Sequence, residues 1–221
     1  MKNKIFTQEK MLRLLFLGIA TILYYAVFAL LEKRQVPIHI IHTKLDDMIP
    51  FCRFFIIPYY MWFVYIVCTI VYFGVIRDNN TEFKDLFHSI LVGIVVFLVV
   101  CMIFPNGQHM RPKIAGNDIF SQMVLSLYRT DTPTNILPSL HVYNSVACCA
   151  AIIRSSAFKK VRWIKIFAVI LSVLIIASTM LLKQHSVIDV VSALFLNLVV
   201  YKVIYARKTA VLKKYEEVKS Y

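Results

Sequence analysis

The chain has 221 residues, of which 59% are hydrophobic and only 17% are charged. This composition excludes an ordinary soluble domain and is typical of a membrane protein with several spans. The net charge of +13 is accounted for by contacts with anionic lipid headgroups, and no nucleic-acid recognition module accompanies it. We therefore expect membrane lipids as partners and no nucleic acid.

Six apolar runs follow one another along the chain, each close to the roughly 20 residues that cross a hydrocarbon core. They are Leu14–Leu31, Phe54–Ile76, Leu86–Phe104, Leu137–Ile153, Ile164–Leu182 and Val187–Tyr205. The first run lacks a small-residue cleavage site, so we interpret it as a retained helix rather than a signal peptide. With no internal repeat and no Gly/Ser-rich linker, the sequence predicts one all-α integral membrane domain over residues 1–221, a bundle of six transmembrane helices.

The distribution of positive charge predicts how this bundle is oriented. An even number of spans places both termini on one side of the membrane, and 17 of the 25 Lys and Arg residues fall on that side. Because positive residues favour the cytoplasm, we expect a multi-pass protein of the cell membrane with both termini cytoplasmic. The polar stretch Glu32–Arg53, the loop Pro105–Ile136 and the turn around Lys183 are then predicted on the outer face, the first of them lying along the membrane surface.

One acidic residue, Asp189, lies inside an apolar run, and His185 precedes it by four positions. An ionisable side chain at membrane depth is expensive and is usually functional. Residues i and i+4 share a helix face, so the carboxylate can hold one imidazole nitrogen and leave the other free to react. The pair predicts an oriented histidine that acts as a nucleophile or a base. A structural ion pair is the alternative on spacing alone.

Further polar residues fall on the same predicted face: Arg111 in the long loop, then Ser139 and His141 at the start of the fourth span. Pro138 suits the first turn of a helix whose unpaired N–H groups favour an anion. Phosphoryl transfer requires cations and hydrogen-bond donors for the phosphate oxygens, together with a nucleophile and an acid. No carboxylate cluster is present, so we expect no metal and no cofactor. A metal held by His141 and His185 is the alternative, but a third ligand is hard to name.

Pro138-Ser139-Leu140-His141 resembles the Pro-Ser-x-His motif of the type 2 phosphatidic acid phosphatase superfamily, which contains membrane lipid phosphatases and phosphotransferases. The family's last motif is Ser-Arg, five residues, His, three residues, Asp. It is represented by Ser178-Thr179, His185 and Asp189. The family's Lys, six residues, Arg-Pro is represented by Arg111-Pro112, with Phe104 at the lysine position. The motif-bearing core therefore covers about residues 104–193.

This resemblance implies roles for the matching residues. His185 would be the nucleophile that forms a phosphohistidine, Asp189 its orienter and His141 the acid for the leaving oxygen. Arg111 and Ser139 would hold the phosphate. Because Phe104 and Thr179 replace the family's lysine and arginine, we expect Lys183 to supply part of the missing phosphate contact.

The leading expectation is a membrane lipid phosphatase that hydrolyses a lipid phosphate or diphosphate at the outer face. The segment Asp131–Asn135 and the Lys-Gln-His sequence that ends at His185 are similar to the branch with inositol phosphorylceramide synthases. That similarity implies an alternative, a phosphotransferase acting on a lipid or polyol alcohol that Asp131 could contact. A transporter or lipid-binding protein is the third hypothesis, but the repeated halves or broken helices that it requires are not visible.

Overall fold

The computed structural model describes residues 7–206. Its helices are α1 Gln8–Glu32, α2 Lys44–Met48, α3 Ile56–Val71, α4 Asn80–Ile103, α5 Ile119–Thr130, α6 Leu140–Arg154, α7 Arg162–Leu181 and α8 Val187–Tyr201. Short 3-10 turns cover Arg53–Phe55 and Ser156–Phe158, and π-helical turns extend α3 over Tyr72–Ile76 and α8 over Lys202–Ala206. Strands β1, His39–Ile40, and β2, Asn106–Gly107, pair in parallel.

Five helical segments of residues 7–206 are long and apolar enough to cross a membrane: Gln8–Glu32, Arg53–Ile76, Asn80–Ile103, Arg162–Leu181 and Val187–Tyr205. The other predicted span is α6, a shorter apolar helix of 15 residues. It begins at Leu140 rather than at the predicted Leu137, because Ser139 is its N-cap and accepts a hydrogen bond from the Val142 amide at 3.4 Å. The all-α membrane fold predicted from the apolar runs is confirmed.

Helix α6 lies at the centre of the bundle and packs against α3, α4, α7 and α8. Small buried residues such as Ala147 and Ala151 let neighbouring helices approach closely. Tyr143 is fully buried, and its hydroxyl donates to the Ser89 carbonyl of α4 at 2.8 Å. Gly93 leaves the room that this ring occupies, since a Cβ there would overlap the ring atoms. The helix that carries His141 is therefore rigidly placed.

The segment Pro105–Ile136, predicted as a loop, contains strand β2 and helix α5. Asp118 caps α5 by accepting from the Ser121 amide at 3.2 Å, and Val124 and Leu127 are buried. They pack in a cluster with Ile56 and Tyr59 of α3. The segment is therefore a structured cover over one end of the bundle.

Which end of the bundle faces the cytoplasm stays a prediction. Lys2, Lys4 and the basic residues from Arg207 onward, which contribute to the charge count, lie outside the described residues. The motif-bearing residues described below all lie at the end that the charge count predicts to face outward.

Candidate active site

The two motif histidines meet at one end of the bundle, although 44 positions separate them in the chain. His141 lies in the first turn of α6, and His185 lies in the short turn between α7 and α8. Their ring centroids are 5.6 Å apart. Both line a cavity of about 130 Å³. The structure thus brings together the residues that the resemblance pairs as nucleophile and acid.

Asp189 holds His185 from the first turn of α8. Its Oδ2 atom lies 3.3 Å from Nδ1 of His185 and accepts from the Ser186 amide at 2.9 Å. The Asp189 carboxylate is fully buried and also completes the capping box of α8. Because Nδ1 faces the carboxylate, Nε2 is the ring nitrogen left for chemistry, as in other carboxylate-oriented histidines.

Aromatic rings hold the His141 imidazole. The Trp62 ring centroid lies 4.2 Å from it and the Tyr59 centroid 4.6 Å. Among the described residues, the buried Nε1 of Trp62 has no hydrogen-bond partner, and Trp62 lines the cavity. These ring contacts restrict the orientation of the His141 imidazole.

Arg111 approaches the site from behind the cavity wall. Its guanidinium lies 4.6 Å from the centroid of the Tyr128 ring and donates to the Tyr128 carbonyl at 3.0 Å. It also donates to the Asp131 carbonyl at 2.6 Å and to Oε1 of Gln184 at 2.5 Å. Burial lowers the pKa of Arg111, and the Asp131 carboxylate opposes that shift. Arg111 does not belong to the cavity lining among the described residues, so it reaches the site through Gln184.

Gln184 and Asp131 form the polar wall of the cavity beside the histidines. Gln184 is buried, and its Nε2 lies 3.4 Å from Oδ2 of Asp131. The same Oδ2 accepts from the Tyr59 hydroxyl at 2.6 Å. Gln184 was not predicted as a site residue. Its position directly before His185 is the signal in the sequence that could have indicated it.

Ser139 is fully buried and connects helix α6 to helix α8. Its hydroxyl caps α6, and its amide donates to the Asp189 carbonyl at 3.3 Å. It does not line the cavity among the described residues. The structure therefore gives Ser139 a contact to the backbone of α8, while its predicted contact with phosphate stays a prediction.

Lys183 points away from the histidines. Its ammonium group donates to the carbonyls of Asp46, at 2.6 Å, and Ile49. It lines a different cavity, together with His42 and His109. These contacts bind α2 and the segment after it to the turn that carries His185. The structure thus does not bring Lys183 to the site that it was predicted to serve.

Phe104 and Thr179, which stand where the family has a lysine and an arginine, do not line the cavity of the two histidines. Phe104 stacks on His39 with 4.4 Å between ring centroids. Thr179 is fully buried, and its hydroxyl donates to the Ile176 carbonyl at 2.8 Å. The backbone carbonyl of Thr179 instead accepts from the His185 amide at 3.1 Å, so this position supports the turn.

Asp46, in the surface segment, is a site residue that the sequence analysis did not find. It is buried, and its carboxylate accepts from the Ser186 hydroxyl at 2.7 Å and from the Val187 amide at 2.8 Å. Thr43 donates to it from its amide at 2.7 Å and from its hydroxyl at 2.9 Å. Burial raises the pKa of Asp46, but these hydrogen bonds outweigh it and leave the pKa below its usual value. Asp46 thus caps α8 next to His185.

Strand β2 and the residue that follows it contact the segments that precede the two histidines. The side-chain Oδ1 of Asn106 accepts from the amides of Ile136 and Leu137, at 2.9 and 3.0 Å, just before α6. Gln108 donates from Nε2 to the Lys183 carbonyl at 2.9 Å. Both side chains are buried. Asn106 and Gln108 therefore hold the chain just before His141 and just before His185.

The described part of the chain has no cluster of metal-ligating side chains. Residues 7–206 contain no group of three or more His, Cys, Asp or Glu side chains placed to hold an ion. A reaction without a metal stays a prediction, and no step below is routed through one.

A family model described as "PAP2 superfamily" matches residues 106–211. The matched range contains His141, His185 and Asp189, as well as Arg111 and Gln184. No curated protein and no solved structure matches the chain.

Proposed function

Because residues 106–211 make this chain a member of the PAP2 superfamily, whose members are phosphatases or phosphotransferases, we propose that it is a membrane lipid phosphatase. Its substrate is a lipid phosphate or diphosphate, and the reaction passes through a phosphohistidine at His185. The observation that carries the proposal is the pair of histidine rings, 5.6 Å apart in one cavity, with one ring held by Asp189.

In the first step, Nε2 of His185 attacks the phosphorus, and the bond from phosphorus to the lipid oxygen breaks. Protonated His141 gives its proton to that oxygen as it leaves. Asp189 keeps the His185 ring in the reactive tautomer and balances the charge that develops on it. The Gln184 amide, itself positioned by Arg111, supplies the donor beside the phosphate oxygens.

In the second step, a water molecule attacks the phosphohistidine while neutral His141 accepts its proton. The bond from phosphorus to Nε2 breaks, inorganic phosphate leaves and His185 is restored. Placement on the outer face follows from the charge count and is part of the proposal.

The test compares three versions of the full-length protein in detergent on radiolabelled phosphatidate, phosphatidylglycerophosphate and polyprenyl diphosphate. His185→Ala is expected to abolish phosphate release from whichever substrate the wild type hydrolyses. His88→Ala is the matched control, because His88 is exposed on α4 and does not line the cavity. Equal rates for wild type and His185→Ala would exclude the proposed nucleophile.

A phosphotransferase is the second candidate, and Asp131 favours it. Among the described residues that line the cavity, Asp131 is the only one with a formal charge when both histidines are neutral. A carboxylate there repels a phosphate monoester, which carries about −1.5 to −2 charges at pH 7. It also accepts a hydrogen bond from an alcohol that attacks in place of water. Supplying lipid and polyol alcohols and measuring free phosphate against a new phosphate ester of the added alcohol separates the two candidates. Exclusive formation of the new ester would contradict the phosphatase.

A further inference from the structure

A second cavity, within the membrane-spanning part of the bundle, adjoins the cavity that the two histidines line. It has a volume of about 130 Å³ and is bounded by α1, α3, α4 and α6. Its walls are apolar, for example Leu17 and Ala20 on α1 and Ile66 and Ile70 on α3. Among the described residues that line it, only Thr21 and Asn144 are polar. We call this second cavity the α1–α3 crevice.

The crevice and the catalytic cavity share walls. Ile94 of α4 and Asn144 of α6 line both. On α1, Ala20 lines the crevice and Tyr24 and Phe28 line the catalytic cavity, and these positions fall on one face of a helix. The other faces of α1 are largely exposed, and α1 packs against α4 and Tyr72–Ile76. The inner face of α1 therefore lines both cavities, one after the other.

Asn144 lies at the junction of the two cavities. It follows His141 by three positions, so the two side chains share one face of α6. Its exposed fraction is 7%, and among the described residues its Oδ1 has no hydrogen-bond partner. A buried amide among apolar side chains is costly unless something bonds to it. The position therefore fits a ligand with a polar group close to its phosphate and a hydrocarbon chain beyond.

We propose that the α1–α3 crevice holds a hydrocarbon chain of the lipid substrate, and that the Asn144 amide binds the ester, amide or hydroxyl group linking that chain to the phosphate. The inference rests on the proposed function for the phosphate end of this lipid. Lipid tails are as apolar as the crevice walls, so a chain gains little hydrophobic free energy when it leaves the bilayer for the crevice. The crevice therefore selects a chain by how well its shape fits. The site then prefers a glycerolipid or a ceramide-like lipid to a polyprenyl phosphate, which has no polar group at the level of Asn144.

The shape of the crevice is tested by filling it. Ala20→Trp places a large ring in the crevice, whereas Ile22→Trp, the matched control, places the same ring at a position that is 69% exposed on α1. The measurement is the ratio of kcat/KM for dioleoyl phosphatidate to kcat/KM for p-nitrophenyl phosphate, which has no chain. Ala20→Trp is expected to lower this ratio at least about tenfold, and Ile22→Trp to leave it unchanged. An unchanged ratio in Ala20→Trp overturns the proposal.

The contact at Asn144 is tested with Asn144→Leu, which keeps the volume and removes the amide. It is expected to lower the ratio of kcat/KM for dioleoyl phosphatidate to that for farnesyl phosphate about tenfold. Equal losses on both lipids, or no loss on either, overturn the assignment of Asn144 to the linkage.

A binding measurement separates this inference from the proposed function. Phosphatidate with a photoreactive diazirine in its acyl chain is crosslinked to the full-length protein, and labelled peptides are mapped by mass spectrometry. Labels are expected on α1, α3 and α4 in the wild type and in Ile22→Trp, and to disappear in Ala20→Trp. Labels confined to other helices overturn the crevice. Labels in the crevice without turnover of any substrate contradict the proposed function but not the assignment of the crevice.

Discussion

Removing the Asp46 carboxylate is expected to loosen the helix that carries the catalytic turn. Asp46→Ala deletes a buried acceptor of four hydrogen bonds, two of which come from Ser186 and Val187 at the start of α8. A hydrogen bond to a charged group contributes about 1.5–3 kcal/mol, and loss of an N-cap costs about 1 kcal/mol. Since water can replace part of what is lost, we expect the free energy of unfolding to fall by about 2–4 kcal/mol.

The same change should reduce catalysis, because His185 directly precedes this capped turn. We expect kcat to fall at least about tenfold with a smaller change in KM, since a displacement of about 1 Å is enough for such a loss. Asp46→Asn, which keeps an oxygen acceptor, should recover part of kcat. The stability contribution follows the pKa of Asp46, which is lowered: it is complete above the usual carboxyl value of 3.8 and is lost as the pH falls through the lower folded value.

The assay measures Tm by scanning fluorimetry in detergent, together with kcat and KM on a lipid phosphate that the wild type hydrolyses. The matched control is Asp47→Ala, which removes the neighbouring carboxylate of α2, paired at the surface with His42 at 2.8 Å. Such an exposed pair contributes about 0–1 kcal/mol. If Asp46→Ala matched Asp47→Ala in both Tm and kcat, the proposed link between α2 and the catalytic turn would be wrong.

Three further variants test separate contacts. Asp189→Asn keeps the cap of α8 but can hold His185 in the wrong tautomer, so kcat should fall about a hundredfold or more with little change in Tm; a kcat near wild type would refute the orienting contact. Lys183→Ala should lower Tm by several degrees and leave KM within about twofold, because its ammonium binds backbone carbonyls; a large rise in KM alone would restore its predicted phosphate contact. Gly93→Ala should destabilise the bundle by about 1–3 kcal/mol through overlap with Tyr143, and an unchanged Tm would show that α4 and α6 separate easily.

Much of the helical framework follows from the apolar runs, because a helix that crosses a bilayer needs an uninterrupted apolar length. The pairing of His185 with Asp189 was predicted from the i, i+4 spacing of a helix. His185 in fact lies in the turn before α8, and Asp189 reaches it from the third position of that helix. Helix α5 was missed because its 12 residues are too few to cross a membrane. It lies between polar segments, and only a few of its positions, such as Val124 and Leu127, are buried.

Contacts between distant segments could not be predicted in this way. Asp46 reaches α8 across 140 positions of the chain. The Thr43-x-x-Asp46 spacing indicates a capping box of α2, but no local pattern indicates the contact with α8. Arg111 was predicted to bind phosphate directly, but Gln184 stands between it and the cavity. Such arrangements depend on how the connecting segments fold over the end of the bundle, which neither periodicity nor motif spacing encodes.

The central claim is that His185 becomes phosphorylated during turnover. The most direct measurement incubates wild type, His185→Ala and His88→Ala with a radiolabelled lipid phosphate that the wild type hydrolyses, stops the reaction in alkali and maps the label by mass spectrometry. An acid-labile phosphoryl group on His185 is expected in wild type and in His88→Ala. Rapid turnover with no label on His185, or a label that persists in His185→Ala, would contradict the account.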